Sequence, residues 1–385
     1  MTKGNEQRRL CCIGPTYPYR GGISHYNTCL IKELSKRDDV LSINFARLYP
    51  DFLFPGKTQL DESKTPLAVD STRVIDSLNP VTWIKAGLRA ARMRPDLVII
   101  QWWHPFFAPV VFTVSLVLKL MRRGKIVLIC HNVLPHERTR LDTLLARLAF
   151  LLPDGFFVQS GEDRDTLVKI RRRAPVTVHP HPIYDFFGTG TLARAQARER
   201  IGVGDEPLLL FFGYVRGYKG LAYLIESMPA IRARVPARLL VVGEFYDPPQ
   251  PYEDLVRRLD LAEAVRFENR YVGNEEVEAF FVASDLVILP YVSATQSGIV
   301  QIAMAFDRPV VVTAVGGLPE AVSPERTGFV VPPKDPAALA AAVIRFFEEG
   351  WARRMTPLFA AEKKRFSWEA MARAVDEMAE LLAPR

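Results

Sequence analysis

Phe211-Phe-Gly-Tyr-Val-Arg-Gly-Tyr-Lys-Gly-Leu221 is the stretch on which the reading of this chain turns. It follows an apolar run at 207–210 and precedes an amphipathic segment at 221–231. That order predicts a buried strand, a glycine turn and a helix, with Arg216 and Lys219 beside the helix start. Two cations near free helix N–H groups suit an anion, most naturally a phosphate or pyrophosphate. Two solvated cations on a surface loop is the competing reading of the same residues.

Working outward, short apolar runs alternate with helical patterns along all 385 residues. This is the pattern of doubly wound parallel sheets. Strands are expected at 10–13, 40–45, 97–101, 125–130, 155–159 and 176–179 in the first half. Pro182, Gly188 and Gly190 interrupt the periodicity around 181–190, which reads as a linker. Strands resume at 208–212, 238–242, 265–268, 286–289 and 310–313. Asp335-Pro336 reads as a cap followed by proline at the first helical position, and 367–382 as a long amphipathic helix. The expectation is an α/β chain of two Rossmann-like domains facing a cleft, 1–185 and 190–365. Ligands in such folds sit at the carboxyl ends of strands.

Composition bounds the function. With 49% hydrophobic and 24% charged residues, the chain is that of a soluble globular protein. Residues 1–9 are polar, so no signal peptide is expected, and the longest apolar stretch, 106–118, is too short to span a bilayer. Cys11, Cys12, Cys29 and Cys130 lack C-x-x-C spacing and read as buried free thiols in a reducing cytoplasm. Residues 1–185 carry 27 Lys/Arg against 17 Asp/Glu, whereas 186–385 carry 23 against 26. A basic first half suits an anionic membrane surface or an anionic acceptor, and equally simple solubility. No nucleic-acid motif accompanies it, and Arg171-Arg172-Arg173 stands isolated. The aromatic and apolar stretch 102–118, followed by Arg122-Arg123, reads either as a buried helix or as a membrane-facing one.

The unusual residues lie at strand ends. After the first strand, Gly21 and Gly22 open a helix, so backbone can approach a ligand closely. The motif is neither G-x-G-x-x-G nor a P-loop, which counts against a nicotinamide dehydrogenase and an ATPase. After the third strand comes Gln101-Trp-Trp-His104, and after the fourth His131-Asn132-Val-Leu-Pro-His136. His131 is placed to hydrogen-bond a sugar hydroxyl or to act as an acid or base; His104 and His136 read as loop histidines. His131 and His136 make a poor metal pair and no third ligand is evident, so no metal is expected. In the second half, Gly243-Glu244 and Asn269-Arg270-Tyr271 end strands and suit a nucleobase pocket. Thr295, Gln296, Ser297 and Gly298 form a polar turn starting an apolar helix, either a phosphate or sugar site or a plain helix cap.

Several of these stretches together resemble a known family. They are Arg20-Gly21-Gly22-Ile, His131-Asn132, Gly213 with Lys219-Gly220, Ala283-Ser-Asp285, Arg308-Pro-Val-Val-Val-Thr and Val315-Gly-Gly-Leu-Pro-Glu320. The chain resembles, over nearly its whole length, the GT-B retaining glycosyltransferases of the large group 1, family 4-like class. The resemblance implies that the final segment, 366–385, is a helix crossing back to the first domain. It implies that the Gly21-Gly22 loop approaches the donor phosphates and the acceptor, and that His131 contacts the donor sugar. Arg216 and Lys219 would hold the pyrophosphate and replace a divalent ion as charge stabiliser. Two departures stand out. Tyr214 occupies the place of an arginine after Gly213, and Ala294 and Ile302 occupy the places of two glutamates. No carboxylate falls between Asp285 and Asp307.

The expected activity is metal-independent, retaining hexosyl transfer from a UDP- or GDP-linked sugar to a hydroxyl. The acceptor is expected to be a lipid-linked or polysaccharide precursor, and the enzyme cytoplasmic, with peripheral contact at an anionic inner membrane face kept open. No cofactor is expected. The alternative is a catalytically weak, nucleotide-sugar-binding partner subunit of the same fold. A hydrolase or epimerase would need positioned carboxylates, which the 286–306 stretch lacks.

Overall fold

The computed structural model describes residues 7–50, 58–135, 139–188 and 190–383. His136 lies outside the described residues. The chain forms two compact units, Met1–Asp61 with Pro66–Pro180 and Trp368–Arg385, and Glu62–Thr65 with His181–Ser367.

The first unit is built on strands β1 (Arg9–Ile13), β2 (Asp39–Arg47), β3 (Thr72–Asp76), β4 (Leu97–Trp102), β5 (Lys125–Cys130), β6 (Gly155–Val158) and β7 (Val176–Val178). They form one parallel sheet in the order β3-β2-β1-β4-β5-β6-β7. Its helices are α1 (Gly22–Leu34), α2 (Pro80–Arg92), α3 (Ala108–Leu120), α4 (Arg140–Ala149) and α5 (Gly161–Ile170). A parallel sheet covered on both faces needs strands that are apolar at every position, as Leu97–Ile100 are. Right-handed crossovers put α1 on one face and α2, α3 and α4 on the other. Val98, Ile100, Trp102, Ile126, Leu128 and Cys130 accordingly share one core with those three helices. Alternation turns Gln101 to the opposite face, toward α1, where its amide donates to Asn27 Oδ1 at 3.1 Å.

The final helix, Trp368–Leu382, packs against α1. Trp368 meets Tyr26 edge-on at 5.1 Å, and Asp376 pairs with Arg8 at 2.6 Å and Arg37 at 2.7 Å. Helix starts are capped as the sequence dictates. Asn79 precedes Pro80, and Thr139 and Asp142 form a reciprocal capping box.

The second unit has strands β8 (Leu208–Phe212), β9 (Arg238–Val242), β10 (Val265–Glu268), β11 (Leu286–Leu289), β12 (Val310–Thr313) and β13 (Gly328–Val331). They are parallel in the order β10-β9-β8-β11-β12-β13. Helices α6 (Arg194–Ile201), α7 (Leu221–Arg232), α8 (Gln250–Arg258), α9 (Asn274–Ala283) and α10 (Gly298–Ala305) are followed by a helix over Pro336–Glu348, capped by Asp335. Asp285, one of the family-like markers, is structural. It pairs with buried Arg198 at 2.9 Å and with Arg194, and accepts the first N–H of β8.

Two strands were not expected, β3 and β13. Both are edge strands: β3 is polar at Thr72, Arg73 and Asp76 and so lacks the continuous apolar signal of interior parallel strands, whereas β13 is four apolar residues opened by a glycine and closed by Pro332-Pro333, which read as a turn. The supposed linker is also different. His181, Tyr184 and Phe187 are buried and belong to the second unit, and the Gly190 N–H donates to Glu278 on α9 at 2.9 Å. An aromatic-rich segment gains more from burial than a solvated linker would allow. The boundary therefore falls at 180/181 rather than 185/190, and residues 62–65 join the second unit. Among the described residues no helix is long and apolar enough to cross a membrane.

Candidate functional site

In the second unit, β9 and β11 flank β8 on opposite sides, so the chain reverses its direction of winding there. Loops leaving such a switch point diverge and open a natural ligand crevice. The loop after β8 carries a single 3-10 turn, Gly217–Lys219, with Arg216 at its N-cap and Lys219 at its end, separated from α7 by Gly220 alone. It is knitted to its neighbours through backbone. Val215 donates to Glu244 O at 3.0 Å, Val292 to Tyr218 O at 2.7 Å, and Gly217 to the Asp247 carboxylate at 2.6 Å. Gly243 (φ 144°) and Gly220 (φ 68°) stand where no other residue fits. A Cβ on the first would overlap the Gly213 carbonyl oxygen, and on the second that of Pro290.

This framework holds Lys219 in an unusual state. Its side chain is 8% exposed, with Nζ 3.1 Å from where a Cβ on Gly213 would sit and 5.4 Å from the centre of the Tyr291 ring. No described carboxylate pairs with it. Burial, and secondarily the charge of Arg216, hold its pKa below the ordinary lysine value. Burial also pushes the Tyr291 phenol up to about 12, a second sign of a desolvated site. An ammonium out of water without a counter-charge is costly. An anion at this point would relieve that cost.

Arg216 is half-buried and lies over the Tyr246 ring at 4.8 Å, and Tyr246 in turn packs on Tyr214 at 4.5 Å. The tyrosine standing at the family's arginine position thus supports the platform that aims the arginine two residues on. Tyr246→Ala should raise the KM for donor a few-fold to about thirtyfold, because a cation–π contact contributes roughly 0.5–2 kcal/mol. Tyr246→Phe should behave as wild type. Equal KM values for the alanine and phenylalanine variants in a nucleotide-release assay would remove the platform from the argument.

The remaining expected donor residues divide. Thr295 accepts from the Gly317 N–H at 2.8 Å and Gln296 reaches Gly317 O at 3.4 Å, joining the loops after β11 and β12. Ser297 caps α10 through the Ile299 N–H at 3.3 Å. Gly298 has a packing reason to be glycine, since a Cβ would lie 2.9 Å from the Tyr184 ring. Arg270 is held bidentately by Glu276 at 2.8 and 2.9 Å, which fixes its guanidinium within the unit. Tyr271 beside it is half-buried, and its carbonyl accepts from Arg270 at 3.3 Å. Glu244 is buried beside Gly243. Ala294 and Ile302, at the family's glutamate places, are both buried.

In the first unit, Gly21 caps α1 at φ 104° with nothing within 4 Å of a hypothetical Cβ, and Gly22 is exposed. Close approach of a ligand to this turn is sterically open. His131 follows β5 and is 8% exposed. Its Nε2–H donates to Gln101 Oε1 at 2.8 Å, and Nδ1 accepts from the Gln159 amide at 3.3 Å. The Tyr26 ring meets it edge-on at 4.7 Å. Gln101, next to last in β4, and His131 and Gln159, directly after β5 and β6, fall on the same face of the sheet by alternation, with Gln101 level with Ile129. The two glutamines escaped the sequence reading; the available signal was a polar residue closing an otherwise apolar strand. His104 is exposed and caps the turn after β4 through its own ring. Among the described residues no three His, Cys, Asp or Glu side chains gather as a metal site.

Residues 206–349 match the family model described as Glycosyl transferases group 1. A D-inositol 3-phosphate glycosyltransferase of Streptomyces scabiei is 30% identical over 258 residues, which cover 63% of this chain and 56% of that protein. The chain spans about half the length of the curated relatives it matches. The crystal structure of Anabaena HepE in complex with UDP is similar at a TM-score of 0.74 and 19% identity, covering 97% of this chain and all (100%) of the other. Sucrose-phosphate synthase from Thermosynechococcus elongatus is similar at 0.72 and 20%, covering 97% and 99%. These structures share the two-sheet fold. The segment that carries Lys219 and its framework, residues 206–349, is therefore a group 1 glycosyltransferase domain, set in a chain of GT-B fold.

Proposed function

We propose that this chain moves a sugar from a nucleoside-diphosphate sugar to a hydroxyl acceptor, with retention of anomeric configuration. The observation that carries the proposal is the buried ammonium of Lys219, without a described carboxylate partner, at the switch point of a group 1 glycosyltransferase domain. In the proposed step the bond from the anomeric carbon to the diphosphate oxygen breaks. The acceptor oxygen bonds to the same face, and its proton passes to the departing phosphate oxygen. Lys219 and Arg216 take up the developing charge, so turnover is proposed to need no divalent ion. Front-face attack is assigned because 286–306 supplies no carboxylate nucleophile. His131 is proposed to hydrogen-bond a sugar hydroxyl by exchanging its longer contact, the 3.3 Å one from the Gln159 amide to Nδ1, for that hydroxyl, and Thr295 and Gln296 to take the polar contacts that the missing glutamates would make. HepE has been crystallised with UDP-glucose, which makes a uridine nucleotide the first donor to test, with GDP-sugars next. A lipid-linked or polysaccharide precursor on the cytoplasmic side is the proposed acceptor class.

A second reading, a nucleotide-sugar-binding partner subunit, is favoured by one observation, the buried apolar side chains at Ala294 and Ile302. The two are separated by measuring nucleotide release from UDP-, GDP- and ADP-sugars with EDTA present, in wild type and Lys219→Ala. One donor should release nucleotide, the variant should not, and the product should keep the donor's anomeric configuration by NMR. Donor binding without release, with lipid and glycan acceptors supplied, would establish the partner-subunit reading instead. An inverted product would end the front-face assignment.

A further inference from the structure

We infer that the helical layer α2–α3–α4 of the first unit is a docking surface for an anionic lipid bilayer. The inference rests on this surface alone, independently of the transfer reaction. α3 lies between α2 and α4 and packs against both. The inner faces of the three helices are core: Trp83, Ala86, Val111, Val114, Leu118 and Ala146 are buried. Their outer faces are apolar too. On α2, Val81, Ile84 and Leu88 recur at helical spacing and are 58, 46 and 36% exposed. At the end of α3, Leu120 is 73% exposed and Met121 48%. On α4, Leu141 and Leu144 are 61 and 62% exposed. A surface helix ordinarily carries polar residues on its outer face. Isolated exposed leucines need no explanation, but apolar outer faces on three adjacent helices mark an interaction surface.

Charge selects the occupant. Residues 80–125 contain eight Lys/Arg and one acidic residue, Asp96. The Asp96 carboxylate is occupied by the Arg9 N–H, and Lys119 pairs with Asp154 at 2.6 Å. Lys85, Arg92, Arg122 and Arg123 form no ion pair among the described residues. Arg171, which donates to the Leu151 carbonyl at 2.8 Å, extends the basic margin to Arg172 and Arg173. A second copy docked through this face would bring like charges together across a two-fold axis. A bilayer with anionic headgroups instead offers an apolar layer for the leucines and a negative plane for the cations. The order Leu120-Met121-Arg122-Arg123 suits that boundary, because arginine stems lie along apolar surface while their heads stay in water.

The test is co-sedimentation of the full chain with vesicles, without donor or acceptor. It compares phosphatidylcholine alone with an equal mixture of phosphatidylcholine and phosphatidylglycerol. Wild type should partition onto the mixed vesicles at low salt, fall off as salt screens the headgroups, and ignore phosphatidylcholine. Leu120→Asp/Leu144→Asp and Arg122→Glu/Arg123→Glu change positions outside the core, exposed at 120, 122 and 144 and half-buried at 123, and each should lower partitioning by roughly tenfold or more. Wild-type levels of binding in both variants, or no binding by wild type, would overturn the inference. Dimerisation in sedimentation velocity that disappears in the aspartate variant, without vesicle binding, would overturn it in favour of a second copy. Because no nucleotide sugar is present, failure here leaves the transfer reading standing, and failure of transfer leaves this result standing.

Discussion

Lys219→Met should unfold at a higher temperature than wild type while releasing nucleotide roughly two to three orders of magnitude more slowly. The two halves of this expectation have one cause. Wild type holds an ammonium out of water with an aromatic face and, among the described residues, no carboxylate paired with it, an arrangement that costs on the order of 1–3 kcal/mol for a polar group and more for a full charge. Methionine has nearly the same length and no charge, so it removes that cost without leaving a cavity. It also removes the cation proposed to meet the diphosphate. The pH dependence follows with a definite sign. The folded pKa of Lys219 is lowered below its ordinary value of 10.5, so the unfolded chain binds more protons there. Wild-type stability should therefore rise with pH between the lowered folded value and 10.5, and this increment should be absent in Lys219→Met. UDP should raise the melting temperature of wild type and have little effect on the variant. Calorimetry with and without UDP decides the matter. A variant that melts lower than wild type would mean the ammonium is already compensated, and the anion site would lose its physical basis.

Gly243→Ala should unfold the second unit more easily by about 1–3 kcal/mol from backbone strain alone, with a further cost from overlap, and should abolish donor turnover. Gly243 has φ 144°, and its hypothetical Cβ would overlap the Gly213 carbonyl oxygen and lie 2.6 Å from the carbonyl carbon. Gly213 is itself enclosed on its side-chain face, where a hypothetical Cβ would lie 3.1 Å from Lys219 Nζ and 3.4 Å from the Ile299 side chain. Displacement at 243 is therefore passed directly to the ammonium. Gly21→Ala is the control, because φ 104° is strained but the space around it is empty; it should lose the strain energy and keep the fold. Urea titration monitored by tryptophan fluorescence, alongside nucleotide release, checks both. Full activity in Gly243→Ala would show that the loops after β8 and β9 give way, and that their close approach is incidental to the site.

Much of this was legible in the sequence, for reasons that differ by residue. Leu208–Phe212 and Lys125–Cys130 could be read as strands because interior parallel strands are apolar throughout. Thr72–Asp76 could not, since an edge strand carries polar residues that look like loop. Arg216 and Lys219 were visible as cations on a turn. That Lys219 is buried could not be seen, because the ring it faces is on Tyr291, far along the chain. Gly298 and Arg270 look like ligand positions by place alone; the fold adds their contacts with Tyr184 and Glu276, which no local pattern connects to them. The 102–118 stretch gave two readings, a buried helix or a membrane-facing one; in the fold Val114 is buried and Leu116 is exposed, a difference by face that no composition of the stretch reveals.

The return of the final helix to the first unit has a consequence for how the chain is made. Trp368, Met371, Val375 and Met378 are all buried, and side chains of this size contribute roughly 1.5–3 kcal/mol each, together comparable to the whole stability of a domain. During synthesis the second unit's sheet is complete by residue 331, while α1 still waits for its covering helix. The first unit to emerge from the ribosome is thus the last to close, and its Tyr26 face stays open for as long as it takes to translate everything in between.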